Sequence, residues 1–158
     1  MAYYNNGNNN SYGNRQFQQR NQGYPQQQIQ PIGAKTVDGN YVEEAEKVIT
    51  AVRGDPNGKN LTTSQLRNLL SLTADIYNQA ERCQDENLPQ ELKDKIEYLK
   101  VRFIYESGRT ASVKSLVEYA NLLEKLKNVQ GKKSAFIRFN RYMEALVAYH
   151  RYQGGKDN

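Results

Sequence analysis

The chain is nearly devoid of cysteine and histidine, with one of each, Cys83 and His150, in 158 residues. One cysteine cannot form an internal disulfide framework or a multi-cysteine zinc site, and it suits a reducing compartment. One imidazole cannot build a histidine metal cluster or a paired-histidine nuclease site. No apolar run approaches the roughly 20 residues that a membrane-spanning helix needs. The first residues, Met1-Ala-Tyr-Tyr-Asn-Asn-Gly7, have no apolar core of a signal peptide. There is no glycine-rich phosphate loop, no H-E-x-x-H, no Cys-x-x-Cys and no Gly-x-Ser-x-Gly. The carboxylates of the basic C-terminal third, Glu106, Glu118, Glu124 and Glu144, are too scattered to suggest a magnesium pair. Cys83 has no histidine neighbour in sequence to activate it. The expectation is a soluble cytoplasmic protein that is not an enzyme, holds no metal or cofactor, and has no membrane partner.

Strand signals are missing too. No sustained alternation of apolar and polar residues occurs, and no Asn-Gly or Asp-Gly turn joins two β-rich segments. What is present is helical periodicity, arranged as an all-α bundle of about five helices behind a low-complexity tail. The tail is expected to span residues 1–35 and the bundle domain 36–158. Residues 1–33 are mostly Asn, Gln, Gly and Tyr, too poor in apolar area to offset the entropy of ordering. The tail is therefore predicted to be disordered, with order beginning near Asp38. Tyr3, Tyr4, Tyr12 and Tyr24, beside Arg15 and Arg20, can stack weakly on bases. A solubilising or tethering tail fits the same composition.

The first helix carries Tyr41, Ala45, Val48, Ile49 and Val52 on one face and is short enough to dock loosely. Gly54-Asp-Pro-Asn-Gly58 ends it. Thr62 and Gln65 have the spacing of a capping box, with Leu61 placed as a staple against Leu66. Leu66, Leu69, Leu70, Thr73, Ile76, Tyr77 and Ala80 continue that second helix. Pro89 suits the first turn of a third, where Leu92, Ile96, Leu99 and Phe103 form a stripe that Val101 and Ile104 widen. Gly108 is the expected left-handed cap. A fourth helix, capped by Ser112, is expected over 113–129, with Lys127 on its apolar period. A fifth, capped by Ser134, is expected from Phe136 to Gly154-Gly155. Its stripe is Phe136, Phe139, Met143, Leu146, Val147 and His150, with the imidazole assigned to packing. Arg138, Arg141 and Arg151 stand off that stripe, and Tyr142, Tyr149 and Tyr152 lie among them.

Charge is uneven along the chain. The net charge of +5 divides into +3 over residues 1–35, −5 over 36–97 and +7 over 98–158. A basic third behind an acidic middle fits a polyanion partner, head-to-tail association of copies, or an ordinary solvated surface.

Two segments are more specific than composition. They are Ile96-Glu-Tyr-Leu-Lys-Val-Arg-Phe-Ile-Tyr-Glu-Ser-Gly-Arg109 and Phe139-Asn-Arg-Tyr-Met-Glu-Ala-Leu-Val-Ala-Tyr-His-Arg-Tyr-Gln-Gly-Gly155. With the helix start Leu61-Thr-Thr-Ser-Gln-Leu-Arg67, they resemble the small-subunit family of the Csm effector complex, the type III-A CRISPR RNA-guided system. The resemblance covers about residues 58–156 and leaves out the Asn/Gln tail. It implies a compact helical, non-catalytic subunit in antiviral defence. Such subunits stack in several copies and line the groove where guide RNA pairs with target RNA. The implied partners are those two RNAs, the large subunit, the backbone subunit and other copies of the chain. In such complexes, target cleavage is attributed to the backbone subunit, and DNase and cyclic-oligoadenylate chemistry to the large subunit.

Contact of that kind is electrostatic. Lysine and arginine meet phosphates and release counterions while base pairing reads the sequence. The candidate RNA-contacting residues are Arg67, Lys100, Arg102, Arg109, Lys114, Arg138 and Arg141. Arg109 and Arg141 come first, because they lie within the resembling segments and off the apolar stripes. Arg109 has a structural alternative, capping the carbonyls of the preceding helix. Two other classes fit the residues: a free-standing helical single-stranded RNA- or DNA-binding protein that uses the tyrosine-rich tail, and a pure assembly adaptor.

Overall fold

The computed structural model describes residues 28–158. The disorder and base stacking expected of residues 1–27 therefore fall outside the described residues. Six α-helices occur among the described residues: α1 (Tyr41–Gly54), α2 (Thr63–Arg82), α3 (Gln90–Arg109), α4 (Ala111–Tyr119), α5 (Leu122–Lys127) and α6 (Lys133–Tyr152). A single 3₁₀ turn, Gly58–Asn60, joins α1 to α2. The described residues contain no β-strand, only an isolated bridge between Asn87 and Lys132. The all-α expectation holds, with one helix more than the pattern suggests.

The extra helix comes from a break at Asn121. Its backbone is left-handed, with φ 56°, which an α-helix cannot continue through. Asparagine tolerates that conformation, and Asn121 Nδ2 donates to the Gly33 carbonyl at 3.1 Å. The predicted helix over 113–129 is therefore α4 and α5, with their registers offset. Lys127, expected on the apolar period, is exposed, and Lys125 is buried instead.

Caps divide similarly. Thr62 and Gln65 form the capping box, with Gln65 N–H donating to Thr62 Oγ1 at 3.1 Å and Thr62 N–H to Gln65 Oε1 at 3.0 Å. Gly154 is left-handed at φ 85° and follows the last turn of α6. Gly108 is not among the left-handed glycines, and α3 runs through Arg109 to Thr110. Thr110, extended at φ −139°, closes α3 and opens α4. Ser112 lies inside α4, buried, and donates to Gln65 Oε1 at 3.2 Å. Ser134 lies one residue inside α6, whose N-cap is Lys132. Its N–H donates to the Glu86 carboxylate at 3.2 Å.

The helices close a ring. α3 packs on α2, α2 on α6, α6 on α1, α1 on α4, and α4 returns to α3. Because α2 and α6 are antiparallel, Thr63 meets His150 at one end and Lys133 meets the Cys83 carbonyl at the other. The core is filled by Leu66, Leu69, Leu99, Phe103, Leu116, Phe136, Phe139, Met143 and Leu146, each at most 3% exposed. Each such side chain contributes about 1.5–3 kcal/mol. Far from docking loosely, α1 has Ala45, Val48, Ile49 and Val52 wholly buried.

Tyr142, expected on the basic face, is also wholly buried. It stands about a third of a turn round α6 from Phe136 and faces Lys125, whose ammonium lies 4.8 Å from the ring centre. Lys125 forms an ion pair with Glu44 at 3.1 Å, in which neither side chain is more than 12% exposed. Burial pushes the Lys125 ammonium below its ordinary value, against the opposing pull of Glu44. Burial pushes the Tyr142 phenol far up, and the Glu44 carboxylate adds to that.

The same cluster holds down the chain ahead of Asp38. Ala34 N–H donates to Glu44 Oε1 at 2.6 Å, and Lys125 donates to the Ala34 carbonyl. Ile32 and Gly33 N–H both reach the Tyr119 carbonyl at 2.9 Å. A side chain at Gly33 would meet the Ala120 carbonyl oxygen at 2.2 Å, so only glycine fits there.

Candidate nucleic-acid interface

The seven candidate basic residues are distributed over four helices. α3 carries three of them. Arg102 and Arg109 are seven apart, two helical turns, and share one side of α3. Lys100 lies about 200° round the helix from Arg102. It is tied to Glu97 at 2.8 Å. Lys114 opens the second turn of α4, just past the Thr110 connection, 3.9 Å from Glu118. α2 carries Arg67, and α6 carries Arg138 and Arg141 three residues apart. Because α2 lies between α3 and α6 in the ring, these arginines occupy three successive helices, not one point.

Exposure supports the placement off the apolar stripes. Arg67, Arg109, Lys114, Arg138 and Arg141 are exposed, and Lys100 and Arg102 are half-buried. Ion pairing then separates them. Among the described residues, Arg67, Arg102, Arg138 and Arg141 form no ion pair within 4.0 Å. Arg109 pairs at 3.4 Å with Glu106, which is mostly buried, and its guanidinium lies 5.6 Å from the centre of the Tyr105 ring. It thus reaches back along its own helix, and it is not held as a cap for the last carbonyls.

The surroundings of the α6 pair are mildly acidic. Ser134 first, and then the Lys132 and Arg138 charges, hold the Glu86 carboxyl below its ordinary value. Burial and Glu81 push the Tyr77 phenol up, and Arg141 opposes them. Arg138 also borders the recess where Thr36 and Val37 meet α5 and α6.

The sequence pattern missed the outer side of α3. Val101 and Ile104, predicted to widen its core stripe, are 54% and 56% exposed. Tyr98 and Tyr105 join them at 61% and 58%. The core side of α3 is Leu92, Ile96, Leu99, Phe103 and Glu106. A second stripe at 98, 101 and 105 was the available signal, and it runs opposite the first. Between α2 and α3 lies a cleft of about 540 Å³, walled by Leu72, Ile76 and Leu99 and edged by Tyr98 and Arg102.

His150 is a packing residue, as its stripe implies. The Leu61 carbonyl accepts from Nε2 at 3.0 Å, so Nδ1 is left to accept from the Thr63 hydroxyl at 2.9 Å. Burial pushes the imidazole below its ordinary value, and the Leu61 carbonyl opposes that. Cys83 is half-buried and donates to the Gln79 carbonyl at 3.3 Å. Among the described residues, no three His, Cys, Asp or Glu side chains are grouped to hold a metal ion. No helix among them is long and apolar enough to cross a membrane.

The fold and surface define a small all-α bundle with arginines spread over adjacent helices. A family model described as Csm2 Type III-A matches residues 40–156. A protein named CRISPR system Cms protein Csm2 from Mycobacterium tuberculosis is 46% identical over 121 residues, covering 77% of this chain and 97% of its own. A protein of the same name from Streptococcus thermophilus is 45% identical over 121 residues, 76% of this chain and 96% of its own. One from Enterococcus italicus is 42% identical over 95 residues, 58% of this chain and 67% of its own. The chain belongs to the Csm2 type III-A family. The resemblance carried by the α3 and α6 segments is thereby borne out. The match takes in α1 as well and begins too late to include the Asn/Gln-rich tail.

Proposed function

We propose that the chain is the non-catalytic small subunit of a type III-A CRISPR effector complex. It stacks there in several copies beside the large and backbone subunits, in the cytoplasm. Its basic residues meet the backbones of guide RNA and target RNA. The observation that carries this reading is the set of unneutralised arginines on adjacent helices: Arg67, Arg102, Arg138 and Arg141. None of the four is committed to a carboxylate among the described residues. An unpaired arginine is instead free to hold phosphate oxygens in bidentate geometry. Family membership supplies the setting, an RNA-guided assembly in which protein holds backbone and base pairing reads sequence. Lys114 joins the set at the α3–α4 corner once its exposed pair with Glu118 exchanges for phosphate, and Arg109 joins it with the exposed part of a guanidinium that also holds the buried Glu106.

The test is co-purification from cells that express the whole system. Recovery of this chain with a short processed RNA and larger protein partners is expected. Recovery of the chain alone, free of RNA, would contradict the reading.

A further inference from the structure

The outer side of α3 has no packing role. Tyr98, Val101, Ile104 and Tyr105 are each more than half exposed, on the side away from the core stripe. Isolated exposed apolar residues are ordinary, but four on two turns of one helix form a patch. Its electrostatics identify the occupant. From Tyr98 to Arg109 the only acid is Glu106, which is buried and engaged by Arg109. The exposed acids of α3, Glu91, Asp94 and Glu97, all precede Tyr98; Asp94 lies one turn from it on the same side, and Glu97 is held by Lys100 at 2.8 Å. Asp75, across the cleft on α2, is occupied by Lys95 at 3.3 Å. The patch is thus aromatic, with Asp94 at its N-terminal edge and cations over the rest, Arg102 beside Tyr98 and Arg109 near Tyr105.

We infer that this side of α3 is a stacking platform for unpaired bases of single-stranded RNA. The inference rests on the RNA-binding reading above and adds a second kind of contact to it. Tyr98 and Tyr105 lie two turns apart, about 10 Å along the helix, room for two neighbouring nucleotides. Their rings accept base faces of any sequence; Arg102, between them, takes the intervening phosphate, and Arg109 the phosphate beyond Tyr105. A base stacked on an aromatic ring raises affinity by about fivefold to a hundredfold. The ring contributes no charge, so that gain is independent of salt.

The full chain is titrated with a labelled oligouridine and with a blunt RNA duplex of the same length, across a salt series. The double variant Tyr98→Ala/Tyr105→Ala should bind the single strand about tenfold more weakly or worse. Its salt slope and its duplex binding should be unchanged. Tyr98→Phe/Tyr105→Phe should bind as wild type does. Both sites are exposed, and an unchanged melting temperature confirms the fold. Wild-type single-strand affinity in the alanine variant overturns the inference, while loss of salt slope in Arg141→Ala would leave the RNA reading standing. No RNA binding by the wild-type chain overturns both. A wild-type oligomer that the alanine variant dissociates, with RNA affinity intact, assigns the patch to protein contact and overturns it as well.

Discussion

Lys125 and Glu44 form an ion pair at 3.1 Å in the interior, and together they bracket the backbone of Ala34. The pair joins α1 to α5 and fastens the chain that leads into the bundle. Removing one partner strands a charge out of water. Glu44→Gln is expected to cost about 3–5 kcal/mol in urea unfolding. The double variant Glu44→Leu/Lys125→Met should recover much of that loss. Equal stability of wild type and Glu44→Gln would show that the pair is not sequestered.

Gly33 sits so close to the Ala120 carbonyl that a methyl group cannot enter. Gly33→Ala should therefore lift residues 32–35 from α4 and α5 and leave the six helices in place. Hydrogen exchange checks this. The Ile32 and Ala34 amides should lose protection while Phe139 and Met143 keep theirs. Retained protection at Ile32 and Ala34 would count against the docking described.

His150 sets an acid limit on stability. Its folded-state pKa is depressed by burial, so the native state keeps it neutral where the unfolded chain would protonate. The stability it confers is complete above its unfolded pKa of about 6.5 and is lost as pH falls below that. The slope is at most about 1.4 kcal/mol per pH unit for one group. Thermal melts of wild type should be flat from pH 8 to 7 and decline between about pH 6.5 and 5. His150→Gln should start lower and lack that limb. Hydrogen-bonded carboxylates such as Asp55 titrate lower still. Burial pushes Asp55 up, but bonds from Gly58, Asn57, Ser115 and Tyr119 outweigh it and hold it below its ordinary value.

Periodicity carried most of the fold. The stripes of α2, α3 and α6 predicted their buried residues because a long amphipathic helix has one way to face a core. What escaped was set by tertiary contact. The break at Asn121 depends on a hydrogen bond to Gly33, 88 residues away. The period picked out Lys127 where Lys125 is buried, and it left Tyr142 off the stripe, because an inward-facing lysine is stable only beside Glu44 and the Tyr142 ring packs against that lysine. For the interface, the off-stripe position of Arg67, Arg138 and Arg141 was legible. The freedom of Arg102 from ion pairs was not, nor was the exposure of Tyr98, Val101, Ile104 and Tyr105. A helix's second stripe can be told from a widened first one only once its neighbours are in place.

The salt dependence of RNA binding tests the central claim most directly. Affinity of the full chain for RNA is measured across a salt series, and log K is plotted against log salt concentration. Arg141→Ala and Arg109→Ala should each bind more weakly and flatten the slope by about one unit for each phosphate no longer neutralised. Slopes equal to wild type in both variants would contradict the assignment of these arginines to the RNA backbone.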